Sequence, residues 1–243
     1  MKLILDFGNS FQKCALIKDD LIAVSSFENI CLKDLKQFVK GEEIDSVILS
    51  SVVNPIPEIN SWLNNNFNFI ELSNLTKIPL VNKYLTPITL GKDRLASAVG
   101  ASSLFPNSNV LAIDCGTAIK YDFVNNKNEY LGGGISPGLK IRFLSLHNFT
   151  DKLPLERNDF DVDLIGKDTA TSIKSGVLNG AIAEVEGIIN RYKEKFSDLK
   201  IVLTGGDMIY FEKSIKSIIF AEPNLVIRGL NKILDFNEKS KHV

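Results

Sequence analysis

Two carboxylates far apart in the chain sit in matching settings. Asp6 closes the apolar run Lys2-Leu3-Ile4-Leu5 and is followed by Phe7-Gly8-Asn9-Ser10; Asp114 closes Val110-Leu111-Ala112-Ile113 and is followed by Cys115-Gly116-Thr117-Ala118. A carboxylate at a strand tip suits a hydrated cation. The glycine permits a tight turn, and the hydroxyl or amide beside it can donate to an anionic oxygen. Singly, each stretch reads as an ordinary turn, since Asp, Gly, Asn and Ser favour turns for local reasons. Repeated at two strand ends, they point to a clamp for a nucleotide's phosphates and its metal. Lys13, three residues beyond Ser10, would reach back toward those phosphates.

A second group is Gly91-Lys92-Asp93-Arg94, at the start of an expected helix. The helix macrodipole alone accounts for an aspartate there. It does not account for an arginine, whose planar fork suits a substrate carboxylate or phosphate. Gly205-Gly206, after the strand 200–203, form a tight turn that a flat adenine ring could approach, or equally a plain turn capped by Asp207. Tyr84 and Thr169 carry no chemistry of their own by position. A Walker loop is excluded: Gly91-Lys92 and Gly166-Lys167 are each followed by Asp and lack the upstream glycine. No Gly-x-Gly-x-x-Gly follows a strand either.

These residues need strand ends and helix starts to hold them. Strands are expected at 2–7, 11–17, 21–27, 45–53 (stopped by Pro55) and 67–72, with helices at 32–40 and 56–66. A helix follows Arg94, with Leu95, Ala98, Val99 and Ser102 on one face. After the turn cluster Pro106-Asn107-Ser108-Asn109 the pattern restarts with strands at 110–115, 119–124 and 129–131. A glycine-rich corner is expected at 132–138, then a long helix from Ser172 to Lys195 with Gly176 and Gly180 four apart. Strand, strand, strand, helix, strand, helix thus occurs in each half. The expectation is an α/β protein of two like domains related by duplication, residues 1–108 and 109–243, with mixed sheets flanked by helices.

Composition narrows the partners. The 243 residues have a formal net charge of −1, which argues against a broad basic face for nucleic acid. No apolar run approaches the roughly 20 residues of a membrane span, and the N-terminus lacks a signal-peptide pattern. Cys14, Cys31 and Cys115 read as reduced thiols in mostly apolar surroundings of a cytoplasmic protein. With only two histidines, the composition argues against a zinc site.

Taken in order, the motifs Asp6-Phe7-Gly8-Asn9-Ser10, Ser50-Ser51-Val52-Val53, Tyr84 to Arg94, Asp114-Cys115-Gly116-Thr117-Ala118, Gly132 to Leu139, Gly166-Lys167-Asp168-Thr169, Leu203 to Asp207 and Pro223 to Leu230 resemble the type III pantothenate kinases. That family lies in the superfamily of acetate and sugar kinases, Hsp70 and actin. The resemblance implies two ribonuclease-H-like domains with ATP in the cleft between them. It implies ATP-dependent phosphorylation of pantothenate to 4′-phosphopantothenate, the first step of coenzyme A biosynthesis. It also implies that Asp6, Phe7, Gly8, Asn9, Ser10, Phe11, Gln12, Lys13 and Thr117 bind ATP, with Asp6 on Mg²⁺ through water. Tyr84, Gly91, Lys92, Asp93, Arg94 and Thr169 would bind pantothenate, with Asp93 the proton acceptor. Asp114 would hold a monovalent cation, K⁺ or NH₄⁺. A homodimer is implied, and the glycine-spaced helix is the candidate contact. The chain departs from the family at Ser10, which keeps a hydroxyl in place of threonine, and at Lys120, which puts a cation near Asp114 where threonine is usual. The alternatives are another small-alcohol or sugar kinase of the superfamily, or a non-catalytic nucleotide-binding regulator.

Overall fold

The computed structural model describes residues 1–157, 159 and 162–239. These fall into two compact units. The first comprises 1–106, 128–131 and the described residues from Asn224; the second comprises 107–127 and 132–223.

In the first unit, β1 (Lys2–Phe7), β2 (Gln12–Ile17) and β3 (Leu21–Phe27) form an antiparallel meander. Helix α1 (Leu32–Phe38) then leads to β4 (Ser46–Ser51), which pairs parallel with β1. Helix α2 (Pro57–Asn66), opened by proline at its first position, leads to β5 (Asn68–Glu71), parallel to β4. The strand order is β3-β2-β1-β4-β5. Period-two alternation sorts its two faces. Leu3, Leu5, Phe7, Cys14, Leu16, Val47 and Leu49 pack with Leu35, Ile59 and Leu63 of α1 and α2. The opposite face carries Ile4, Ala15 and Ile48, all fully buried. Over β1 and β4 on this face lie α3 (Lys92–Leu104) and the C-terminal helix.

The second unit repeats that plan. Strands β7 (Val110–Cys115) and β8 (Ala118–Val124) form an antiparallel hairpin, and β9 (Glu129–Pro137) lies beside β8. The first residues of β9 belong to the first unit, where Glu129 and Tyr130 pair with β6 (Val81–Asn82). Helices α4 (Leu139–Asn148) and α5 (Thr169–Lys195) precede β10 (Lys200–Thr204), which is parallel to β7. Helix α6 (Met208–Ser214) and the short β11 (Phe220–Ala221) follow. The order β9-β8-β7-β10-β11 matches that of the first unit, strand for strand in sequence order. These are duplicated ribonuclease-H-like units with mixed sheets. Helix α5 begins where Asp168 accepts from Thr171 N (2.8 Å). Its buried Ile173, Val177, Leu178, Ala181, Val185 and Ile189 repeat at helical spacing and pack on Leu111, Ile113, Ile119 and Leu203.

Three expectations change. The glycine run 132–137 is not a corner but the continuation of β9. Gly133 passes so close to β8 that a Cβ there would overlap the Tyr121 carbonyl, so glycine here serves strand approach rather than turning. Cys31 is exposed at the start of α1, whereas Cys14 and Cys115 are buried as expected. The last helix, α7 (Leu225–Lys239), packs on α3 of the first unit. Its buried face is Leu225, Ile227, Leu230, Ile233 and Leu234, each worth about 1.5–3 kcal/mol on burial. Gly100 and Gly229 bring the helices into contact: a Cβ at either would strike the other helix's backbone. That pairing is invisible to local patterning.

Candidate active site

The first hairpin turns tightly. Gly8 N donates to Phe11 O (3.0 Å), leaving Asn9, Ser10 and Phe11 exposed at the tip. Asp6 lies opposite Lys13 on β2 and Ser50 on β4. In-register neighbours share a face, so Asp6, Lys13 and Ser50 occupy the α3-bearing face of the sheet. Lys13 makes no ion pair among the described residues, and the fully buried Ser50 hydroxyl has no hydrogen-bond partner among them. Of the expected ATP residues, Gln12 is differently employed: its buried Oε1 accepts from Ile30 N at 2.6 Å and anchors the chain before α1. Phe7 is a core residue.

The substrate candidates Tyr84, Gly91, Lys92, Asp93 and Arg94 come together in the same unit. Gly91 is the N-cap of α3, and a Cβ there would stand 2.7 Å from Asp93 Oδ1. The Asp93 carboxylate folds back to accept from Arg94 N (2.9 Å) while remaining partly exposed. Arg94 is only 5% exposed, with its guanidinium carbon 5.7 Å from the Tyr84 ring centroid. Tyr84 also stacks obliquely near Tyr130 (6.1 Å), and its backbone N donates to Asn82 Oδ1 (3.0 Å). Lys92 faces Glu71 at 3.8 Å.

In the second unit, Thr117 is exposed at the tip of the β7–β8 hairpin, closed by Gly116 N donating to Ala118 O (3.2 Å). Gly138 N donates to Thr117 O (3.2 Å), tying the end of β9 to the tip. Thr169 is the exposed first residue of α5. Asp114 pairs in register with Lys120, whose Nζ lies 2.7 Å from Asp114 Oδ2. On the other side, the 204–207 turn closes against the hairpin: Asp207 N donates to Cys115 O (2.9 Å). Gly205 there has φ +101°, and a Cβ would stand 2.5 Å from Asp114 Oδ1. Only glycine permits that approach. Burial raises the Asp207 carboxyl above its ordinary range and the Cys115 thiol well above it.

The chain is similar to known proteins along nearly its whole length. Residues 2–191 match the family model for type III pantothenate kinase. The chain is 42% identical over 241 residues to a type III pantothenate kinase of Phocaeicola vulgatus, covering 98% of this chain and 100% of that protein. It is 41% identical over 245 residues to one from Christiangramia forsetii, with coverage of 98% and 99%. The chain belongs to the type III pantothenate kinase family. The fold matches the solved structure of a Campylobacter jejuni protein assigned to the Baf family of transcriptional activators, with TM-score 0.64, 22% identity and coverage of 98% and 99%. Component A of (R)-2-hydroxyglutaryl-CoA dehydratase from Acidaminococcus fermentans matches at TM-score 0.55 and 15% identity, covering 98% of both chains.

Two implied ions can be tested against the donors present. Asp6 offers one carboxylate, and no cluster of three potential ligands occurs among the described residues. That suits Mg²⁺ held mainly by phosphate oxygens and water. A monovalent cation on Asp114 does not fit. Oδ2 already carries the Lys120 ammonium, and Gly205 approaches Oδ1 so closely that a Cβ there would stand 2.5 Å from it. A second unit charge about 4 Å from that ammonium would be repelled by about 4 kcal/mol at an effective dielectric of 20.

Sequence reasoning missed a third cluster. Glu184 of α5 accepts from Tyr121 OH (3.0 Å) and Ser136 Oγ (2.5 Å) and pairs with Arg142, whose Nε donates to Pro137 O (2.8 Å). Burial alone would raise the Glu184 pKa, but the hydrogen bonds from Arg142, Ser136 and Tyr121 outweigh it and hold the carboxyl below its usual range. The network fixes residues 136–138 against the hairpin tip. Its members lie on separate elements with no common motif, so no local signal marked them.

Proposed function

We propose that this kinase transfers the γ-phosphoryl group of ATP to the primary hydroxyl of pantothenate, giving 4′-phosphopantothenate. The observation that carries this reading is the family match over residues 2–191, a span containing every residue assigned below. Phosphoryl transfer passes through a loose transition state, so positioning and charge neutralisation supply most of the rate. In this reading Asn9, Ser10 and Lys13 orient the phosphates of ATP, as does Thr117, and Asp6 holds Mg²⁺ through water. The bound metal supplies charge neutralisation on the phosphates. Lys13 fits its role because no carboxylate among the described residues engages its ammonium.

Arg94 anchors pantothenate's carboxylate, with Tyr84 stacked against the guanidinium, Gly91 and Lys92 beside it and Thr169 as a further contact. Asp93 accepts a hydrogen bond from the attacking hydroxyl and takes its proton late in the transfer. Its place at the start of α3, where the side chain is partly exposed, presents the carboxylate to that hydroxyl.

A homodimer through α5 is part of the proposal: at Gly176, Gly180 and Gly187 a Cβ would meet nothing within 4 Å, so this face of α5 is uncovered by the described residues. The three free cysteines support a reducing cytoplasm, and the net charge of −1 gives no footprint for nucleic acid. No described helix is long and apolar enough to cross a membrane. The deciding experiment is ADP release with Mg-ATP and pantothenate, a panel of sugars, or acetate. Pantothenate-dependent turnover is expected. Turnover on a sugar alone would move the chain to another acceptor, and ATP binding with no acceptor would make it a nucleotide-binding regulator.

A further inference from the structure

We infer that Lys120 is a built-in monovalent cation: its ammonium occupies the position on Asp114 that the family resemblance gives to potassium, and nucleotide binding and turnover therefore need no added monovalent ion. The reaction is that of the proposed function, on which this inference rests.

The geometry is that of a tethered ion. Lys120 and Asp114 are directly opposed across β7 and β8, one residue pair back from the closing pair Cys115 and Ile119. The ammonium-to-carboxylate distance of 2.7 Å falls within the about 2.7–2.9 Å of charge-assisted hydrogen bonds. Both side chains are mostly withdrawn from solvent, 17% and 14% exposed, so the pair is weakly screened. Gly205 on the neighbouring strand's turn lies close to Oδ1, where a Cβ would stand 2.5 Å from that oxygen, so the carboxylate sits in a crowded corner. An alkylammonium matches potassium in charge, but it cannot diffuse away. Two residues further along, Thr117 ends the same hairpin, so the fixed charge cancels that of Asp114 where a polyanion would be received. A diffusible cation would have to displace a lysine held in place by strand pairing.

The test is a salt series on the intact protein. ADP release with pantothenate is measured at constant ionic strength in potassium, ammonium, sodium or tetramethylammonium chloride, and the ATP dissociation constant is determined by calorimetry in the same salts. Both are expected to vary less than about twofold between potassium and tetramethylammonium. Activation or tightening of tenfold or more by potassium overturns the inference. Lys120→Thr is expected to create the requirement, weakening ATP binding at least tenfold in tetramethylammonium with recovery in potassium. A folded Lys120→Thr protein indifferent to the salt would also overturn it, and if that variant does not fold the native series decides. Absence of turnover in every salt would sink the pantothenate reading alone, since the ATP-binding series still tests Lys120.

Discussion

The two hairpins, β1–β2 and β7–β8, are the same device with different wiring. Each places an aspartate one residue before the strand end and a lysine directly opposite: Asp6 with Lys13, Asp114 with Lys120. Each puts that pair on the sheet face away from its unit's α1–α2 or α4–α5 cluster. In the second hairpin the lysine is bonded to its aspartate; in the first Lys13 has no ion pair among the described residues. One copy has closed its charges on itself, and the other leaves its lysine without an ion pair among the described residues. The equivalent positions of the two units thus carry the same residue pair, ion-paired in one of them.

The largest expected effect separates the chemistry from either hairpin. Asp93→Asn should lower kcat by about 10²–10⁴-fold, the usual worth of a general base, with the ATP dissociation constant unchanged. A kcat near that of the native enzyme would show that the proton goes elsewhere. Next, Lys13→Ala should weaken ATP binding by about 10–100-fold, since a hydrogen bond to a charged group contributes about 1.5–3 kcal/mol. A change under threefold, read by calorimetry, would erase the contrast between the hairpins.

Gly229→Leu tests the other asymmetry, the helix that only the first unit takes from the chain's far end. Overpacking of this kind costs about 1–3 kcal/mol or more. It should expose amides of β1 and β4 to hydrogen exchange while those of β7 and β10 keep their protection; uniform loss of protection would refute the assignment of α7 to the first unit.

The smallest effect concerns Glu184. Its folded pKa lies below the unfolded value, so its contribution to stability is fully present above the unfolded pKa of about 4.3 and is lost as pH falls through the folded pKa. Glu184→Gln should cost about 1 kcal/mol near neutrality, after allowance for partial solvent screening. It should also flatten the fall in stability below about pH 4; urea titrations from pH 3 to 7 would reveal an unchanged slope if the network were incidental.

Much of this architecture was legible in the chain. The apolar runs ending at Asp6 and Asp114, the turn residues after each aspartate and the helical spacing after Arg94 are local signals, and they placed the hairpins and α3 correctly. Legibility failed where the cause was distant. The Gly132–Gly134 run looks like a turn until β8 is seen pressing on it. The destination of α7 depends on Gly100 and Gly229, which meet only in three dimensions. Lys120 stood out as a departure from the family pattern, but its bond to Asp114 required the antiparallel register. Gln12 looked like part of a phosphate loop, yet its amide serves Ile30.

The seat of α7 on α3 also bears on how the protein is made. The residues of the second unit, 107–127 and 132–223, all leave the ribosome before α7 does. The first unit must keep the part of its Ile4 and Ile48 face not covered by α3 waiting until α7 emerges. During translation that face is a hydrophobic surface without its partner, the kind of exposure that invites chaperone binding or aggregation. Residues 1–106 are thus completed only by a segment that follows the whole of the second unit in the chain.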